Sequence, residues 1–398
     1  MSRFPGRTAL LGLGPSLRVL LVSNLLYPDG SGGAERYVSE LASELRREHD
    51  VTVFTGSPGG STVVTSRRFR RLRADASIGD KVAWHLRDQW HPGVERELRQ
   101  LVRRFKPDVV HSHEIQGLSA AVFTAIARAG VPHVHTAHDF NLLCVRTTMT
   151  VDGAACHGRC LVCRLQRAVR VRAALARLDW LIAPSAFVLE RHLQALGFSR
   201  ERASLIPQGT PTAAGRKRGV GAVSFGFIGS LERHKGLHTL LRAFSRSRCT
   251  RLEVAGSGGL ESEVRGAAVS DPRIRFWGRV DGDRREAFFD AVDVLVIPSE
   301  WEENAPLVAV EAAMRGIPAV VTARGGLPET PEALVVAAND EKALLDGLEA
   351  CAGAPSSVRK ASEQLLCQRD AFSWETHVAR VDAVLQRASS GATAGVAA

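Results

Sequence analysis

Two glutamates eight residues apart, Glu303 and Glu311, are the pair in this 398-residue chain whose types and spacing point most directly to chemistry. Glu303 ends the loop Pro298-Ser299-Glu300-Trp301-Glu302-Glu303-Asn304-Ala305-Pro306-Leu307, and Glu311 lies about two turns into the helix expected next. Both carboxylates can therefore face one ligand, and carboxylates readily accept hydrogen bonds from the vicinal hydroxyls of a sugar or a ribose. Helix capping could account for Glu302 or Glu303. It does not account for Glu311, which sits mid-helix among Val308, Ala309, Val310, Ala312 and Ala313.

A cation and a glycine turn complement the pair. Gly229-Ser230-Leu231-Glu232-Arg233-His234-Lys235-Gly236 follows the apolar run FGFI. A lysine just past a strand and at a helix start can hold a pyrophosphate and stabilise charge growing on a leaving diphosphate. Near the N-terminus, Gly30-Ser31-Gly32-Gly33-Ala34-Glu35 links a strand to a helix. Glycines there allow close approach of a ligand to the backbone. The spacing is not GxGxxG, which weighs against a nicotinamide cofactor.

These residues need a scaffold of alternating strands and helices, and the chain has that pattern. Strands are expected at Leu17–Ser23, Val51–Thr55, Asp108–His113, Pro132–Ala137, Asp179–Ala183 and Ser204–Ile206, with helices at Ala34–Glu48 and Leu118–Arg128. Pro207–Gly219 reads as a linker, after which strands recur at Val223–Ile228, Arg251–Ala255, Arg273–Phe276, Val292–Ile297 and Ala319–Thr322. Leu237–Ser245, Leu307–Met314 and Ser373–Gln386 read as helices of the second half. The expectation is an α/β protein of two Rossmann-like, doubly wound parallel-sheet domains facing across a cleft. The boundaries read are a disordered extension at 1–16, an N-terminal domain at 17–212 and a C-terminal domain at 213–370. A last helix at 371–388 caps the second half or crosses back to the first, and a Gly/Ala-rich tail at 389–398 reads as disordered.

Composition is that of a globular protein, 45% hydrophobic and 24% charged. The net charge of +10 comes almost wholly from arginine. Nucleic acid is not expected as a partner, because no stacking platform accompanies the charge. The cluster Arg67, Arg68, Arg70, Arg71 and Arg73 reads either as a solvated loop or as a contact with an anionic membrane surface. No apolar run is long enough for a transmembrane helix, and the N-terminus is only loosely like a signal peptide. The expected location is cytoplasmic, including the inner face of the membrane.

His111, His113, His133, His135 and His138 could suggest a metal cluster, but no carboxylate stands at ligand spacing beside them. Cys144, Cys156, Cys160 and Cys163 follow directly, with His157 as a spare ligand. A structural zinc site, thiols without metal, and disulfides all remain open for this quartet.

Taken together, these motifs resemble the retaining family 4 glycosyltransferases of the GT-B fold. GGAE, the His138 segment THAHDF, IPQG at Ile206–Gly209, the HKG turn, the glutamate pair, Gly325-Gly326-Leu327-Pro328-Glu329 and FSWETH occur in the family's order along nearly the whole chain. Some relatives also carry a cysteine cluster after the His-Asp motif. The resemblance implies a hexose donor carried on GDP or UDP, no catalytic metal, and a glycan, lipid-linked or small-molecule acceptor. It assigns Lys235 to the diphosphate, Glu311 to the ribose, Glu303 and His138 to the transferred sugar, and the backbone of Gly278 to Val280 to the base. Ser230, Arg233, Asn304, Pro306 and Leu307 would complete the donor side, with Gly32, Gly33, Glu35 and His113 bordering the acceptor. Two positions depart from the pattern: Ser230 stands where the family often has Arg, and Gln208 where it has Asn. The serine keeps open a catalytically silent sugar-nucleotide or glycan binder; a nucleotide-sugar epimerase of the same fold is the other alternative, against which the Glu303/Glu311 pair and the GGAE loop favour transfer.

Overall fold

The computed structural model describes residues 15–391, apart from 31–32, 73–75, 145–146, 152–153, 157–160, 212, 217 and 220. Gly32, Arg73, His157, Cys160, most of the N-terminal extension and all but the start of the tail lie outside the described residues.

The N-terminal half strings together β1 (Arg18–Val22), α1 (Gly33–Leu45), β2 (Asp50–Thr55), β3 (Val63–Thr65), α2 (Ile78–Gln89), α3 (Pro92–Phe105) and β4 (Val109–Ser112). It continues through α4 (Ala121–Ala129), β5 (His133–Thr136), a two-strand hairpin of β6 (Thr150–Val151) and β7 (Ala154–Ala155), α5 (Leu161–Leu175), β8 (Trp180–Ala183), α6 (Ala186–Leu196) and β9 (Ala203–Leu205). Seven of these strands form one parallel sheet in the order β3-β2-β1-β4-β5-β8-β9. Strands β4, β5 and β8 are buried at every position, as expected of sheets covered on both faces.

The C-terminal half runs β10 (Ser224–Ser230), α7 (Leu237–Arg246), β11 (Arg251–Ser257), α8 (Glu261–Ser270), β12 (Ile274–Gly278), α9 (Asp283–Asp290) and β13 (Val294–Ile297). Then come α10 (Leu307–Met314), β14 (Ala319–Thr322), β15 (Ala333–Val336), α11 (Glu341–Gly353), α12 (Pro355–Gln368) and α13 (Trp374–Ser389). Its sheet is parallel throughout, in the order β12-β11-β10-β13-β14-β15. In each sheet the order reverses beside the first strand, between β1 and β4 and between β10 and β13. Crevices at such switch points, beyond the carboxyl ends of the strands, are where doubly wound sheets take ligands.

Helix α13 packs on the N-terminal sheet. Trp374, Val378, Val381, Val384, Leu385 and Ala388 join the cluster of Val19, Leu21, Tyr37, Val38 and Leu41. Its start is set by Ser373, whose hydroxyl accepts from Thr376 N–H. It runs to Ser389, three residues past the end read from the sequence, because Val384, Leu385 and Ala388 still find buried positions. His49 fastens the same helix: its Nδ1 accepts from Leu17 N–H at 3.2 Å, so Nε2–H donates to Asp382 at 2.8 Å.

A second buried bond ties α13 to the linker and to α1. His377 Nδ1–H donates to Pro207 O at 2.7 Å, which leaves Nε2 to accept from Tyr37 OH at 2.8 Å. Tyr37→Phe would strand His377 Nε2 in the interior. It is expected to cost about 1–3 kcal/mol of unfolding free energy, read by urea denaturation, with the circular dichroism spectrum unchanged.

Candidate active site

The second switch point gathers the residues singled out at the start. The turn His234-Lys235-Gly236 follows β10, and the loop Pro298–Asn304 follows β13. Gly236 has φ +70, and a Cβ there would collide with Pro298 O, so only glycine lets the lysine turn lie against the Glu303 loop. Glu300 N–H donates to His234 O at 2.9 Å and closes the contact. On the other side Gly325, at φ +57, passes so close under the Glu303 backbone that a Cβ would not fit, and Gly326 N–H donates to Glu303 O at 2.7 Å.

Held this way, Glu303 Oε1 receives three donors: Lys235 Nζ at 2.7 Å, Ser299 Oγ at 2.6 Å and Trp301 Nε1 at 2.7 Å. The Lys235 ammonium also lies 4.6 Å from the centroid of the Trp301 ring. Three donors converge on one oxygen of a carboxylate that is only 8% exposed, so its position is fixed before any ligand arrives. Glu311, on α10, is paired with Arg285 of α9, and Arg315 donates to its backbone carbonyl at 2.9 Å. Leu307, at the first position of α10, faces the N-terminal domain, where a Cβ on Gly33 would come within 3.2 Å of it. Val280 is in the core below β12, so it can offer only its backbone to the cleft. Ser230 at the end of β10 and Arg233 in the turn are both exposed. Glu232 accepts from Gly259 N–H at 3.0 Å, fixing the loop beside them.

Across the cleft, His138 follows β5 and His113 follows β4. His113 Nδ1 and His138 Nε2 are 3.1 Å apart, and the Tyr37 ring stands edge-on to His138 at 4.7 Å. Burial, reinforced by neighbouring imidazoles, pushes His138 down to about 3 and His113 well below its usual value. Both rings are neutral at physiological pH, so they can orient a ligand by hydrogen bonding but carry no proton to donate as imidazolium. The other three histidines are accounted for internally. His111 bonds Thr136 Oγ1 at 2.8 Å, and His133 and His135 share Ser112 Oγ at 2.7 and 2.8 Å.

Glu35 lies in the first turn of α1. Burial raises Glu114 to about 8, with the charges of Asp139 and Glu35 adding to it, and raises Asp139 to about 6, with those of Asp88 and Glu35 adding. This side of the cleft therefore concentrates carboxyl groups. Asn304 bridges the two domains: its Nδ2 donates to His138 O at 2.8 Å, and its own carbonyl accepts from Ser185 Oγ at 2.6 Å. Glu329 crosses at the same place, accepting from the N–H groups of Ala186 and Phe187 at the start of α6 (2.6 and 2.8 Å).

Sequence reading missed Ser299, Trp301, Arg285 and Tyr37. Ser299 and Trp301 could have been found, since they stand four and two residues from Glu303 in the same loop; Arg285 and Tyr37 reach the site through the fold. Among the described residues no group of three or more His, Cys, Asp or Glu is placed to hold a metal. Cys144, Cys156 and Cys163 are half-buried, and their fourth member, Cys160, lies outside the described residues.

Two doubly wound domains that face each other with such loops at their switch points have the architecture of the GT-B fold. Residues 31–214 match the family model described as Glycosyltransferase Family 4, and residues 222–353 match that of Glycosyl transferases group 1. The chain belongs to this family of glycosyltransferases. It is 29% identical over 345 residues to a glycogen synthase of Mycobacterium tuberculosis, covering 79% of this chain and 80% of that one. Among solved structures, sucrose-phosphate synthase from Thermosynechococcus elongatus superposes with a TM-score of 0.70 at 18% identity, over 94% of this chain and 100% of that one. HepE of Anabaena in complex with UDP gives 0.69 at 16%, over 93% and 99%. Among the described residues no helix is long and apolar enough to cross a membrane.

Proposed function

We propose that the chain is a retaining hexosyltransferase that uses a GDP- or UDP-hexose and transfers the sugar to a hydroxyl of a glycan, a lipid-linked glycan or a small molecule. The observation that carries this reading is the placement of Lys235, Glu303 and Glu311 around one switch-point crevice, with the neutral His138 opposite. Lys235 leaves Glu303 for the donor diphosphate, and Glu303 is then free to accept from sugar hydroxyls. Glu311 accepts from the ribose, with Arg285 giving way. Ser230, Arg233, Pro306, Leu307 and the backbone from Gly278 to Val280 frame the nucleotide. Gly32, Gly33, Glu35 and His113 border the acceptor.

In the reaction the bond from the anomeric carbon to the diphosphate oxygen breaks, and a bond to the acceptor oxygen forms on the same face. The acceptor proton passes to the departing diphosphate. A neutral His138 suits this course, because no protein acid is required and Lys235 meets the charge that develops on the leaving group. HepE was solved with UDP, and its likeness in fold to this chain supports a nucleotide donor.

A thermal-shift and hydrolysis screen against a panel of nucleotide sugars tests the reading. Stabilisation by one donor, with slow release of its nucleoside diphosphate, is the expected result. Stabilisation without any release, with or without acceptors, would favour a silent binder and make Ser230 the residue responsible. Conversion of the donor to its epimer without acceptor would replace transfer by epimerisation.

A further inference from the structure

Away from the cleft, α2 and α5 carry apolar side chains that the fold leaves in solvent. Ile78, Val82 and Leu86 of α2 are 82%, 54% and 68% exposed. They recur every four residues and so form one stripe along the helix. The opposite side of α2 is the one that packs: Asp88 is buried there and ion-paired to the buried Arg170 of α5 at 2.5 Å. Helix α5 repeats the arrangement. Leu165 and Val169 are exposed, while Arg170 and Ala174 turn inward. Single exposed apolar residues need no explanation, but two neighbouring stripes on packed helices mark an interaction surface.

The charge around the stripes says what covers them. Arg67, Arg68, Arg70 and Arg71 precede α2, Lys81 and Arg87 lie on it, and Arg164, Arg167 and Arg172 lie on α5; all are exposed. Helix α5 contains no acidic residue. The exposed acid of α2, Asp80, is engaged in the capping box with Ser77. A shallow recess beside α2 is lined by Arg70, Arg71, Arg87, Trp84 and the capping Asp80, three cations to one acid, a balance that suits a phosphate with an apolar neighbour. A second copy of the chain would bring the same cations face to face, which disfavours a symmetric pairing. Anionic lipid offers both the apolar layer and the opposite charge.

We propose that the face formed by α2, α5 and the Arg67–Arg71 stretch docks on an anionic membrane surface, its apolar stripes entering the headgroup boundary and its cations pairing lipid phosphates. The docked face is joined to the cleft, because Arg170 also donates to Asn141 O, three residues after His138.

Co-sedimentation of the full chain with vesicles tests this, comparing phosphatidylcholine alone with phosphatidylcholine containing phosphatidylglycerol. Binding to the anionic vesicles is expected to be at least about tenfold stronger and to weaken with salt. Ile78→Ser/Val82→Ser/Leu86→Ser, and separately Arg70→Ser/Arg71→Ser, are each expected to lower it about tenfold with the thermal midpoint unchanged. Equal binding to both vesicle types, or undiminished binding by both variants, would overturn the proposal. So would a dimer in sedimentation velocity that the serine changes on α2 abolish, since the face would then be a contact between copies.

Discussion

Lys235→Ala is expected to lower kcat/KM for sugar transfer by about 10²–10³-fold while leaving the thermal midpoint within a few degrees of the parent. The two halves of this expectation rest on different contacts. Lys235 is partly exposed at the crevice, and the carboxylate it meets keeps Ser299 Oγ and Trp301 Nε1 as donors when the lysine is gone. The loop around Glu303 is also held by its backbone, through Gly326 N–H and the contact of Glu300 with His234. Folding therefore has little to lose. The reaction loses the one lysine placed at the turn after β10, where Ser230 supplies no charge. Lys235→Arg keeps the charge, but its planar fork cannot occupy the spot over Trp301 in the same way, so only partial recovery is expected. Glu303→Gln separates the roles further. It keeps an oxygen for Ser299 and Trp301 yet weakens acceptance from sugar hydroxyls, and should reduce turnover more than donor binding. If Lys235→Ala retained more than a tenth of parental kcat/KM, the diphosphate would have to sit elsewhere, with Arg233 the next residue to change.

The residues of this site differ in how far they could be read from the chain. Glu303, Glu311 and Lys235 stood out because spacing alone puts them after strands and on one helix face, and local spacing is what sequence preserves. Their partners did not. Arg285 is an ordinary arginine in a charged helix until β12 and β13 bring α9 beside α10, and Tyr37 meets His377 across 340 residues of chain. The strands divided along similar lines. Those buried on both faces, such as β4 and β14, announce themselves as apolar runs. Strands β3 and β15 were missed, being short and only partly covered at the sheet edges. Helices α2 and α5 went unread for a different reason. Large apolar residues, Ile78, Val82 and Leu86 on one and Leu165, Val169 and Leu175 on the other, are exposed, so the usual correspondence between an apolar stripe and a core fails, and the flanking arginines and cysteines draw attention first. The histidines show the limit of period-2 spacing: on two strands it looks like a ligand set, against which the lack of a carboxylate at ligand spacing already weighed, and only the fold shows that His111, His133 and His135 bond Thr136 and Ser112 inside the sheet.

That buried histidine layer has a thermodynamic consequence, and lowering the pH from 7.5 to 5.0 is expected to reduce the thermal midpoint by roughly 5–10 °C. Burial holds His111, His133 and His138 down to about 3 and His192 and His377 down to about 4, and pushes His113 and His135 well below the usual value. Their folded values lie below the unfolded value of about 6.5, so between those limits the unfolded chain binds more protons and acid favours it. The stability these groups confer is complete above about pH 6.5 and is lost as pH falls toward their folded values. At pH 5.0 each histidine held at about 3 or 4 forfeits up to about 2 kcal/mol. Glu114 and Asp139 act with the opposite sign. Burial raises both, Glu114 to about 8 with the charges of Asp139 and Glu35 and Asp139 to about 6 with those of Asp88 and Glu35, so they take up protons in the folded state first and return about 4 kcal/mol over the same interval. Five histidines outweigh two carboxyls, so the net effect is loss. His192 allows the cause to be isolated, since it lies outside the cleft. It donates from Nδ1 to Val188 O at 2.8 Å, stacks on Phe140 at 5.7 Å, and leaves Nε2 without a partner among the described residues. Phenylalanine would fill the same slab of space without the orphaned nitrogen. His192→Phe should therefore be at least as stable as the parent at pH 7.5 and should lose about 2 kcal/mol less on acidification, measured by urea unfolding at the two pH values. An unchanged pH slope in that variant would mean that the His192 imidazole is not titrating as its burial requires.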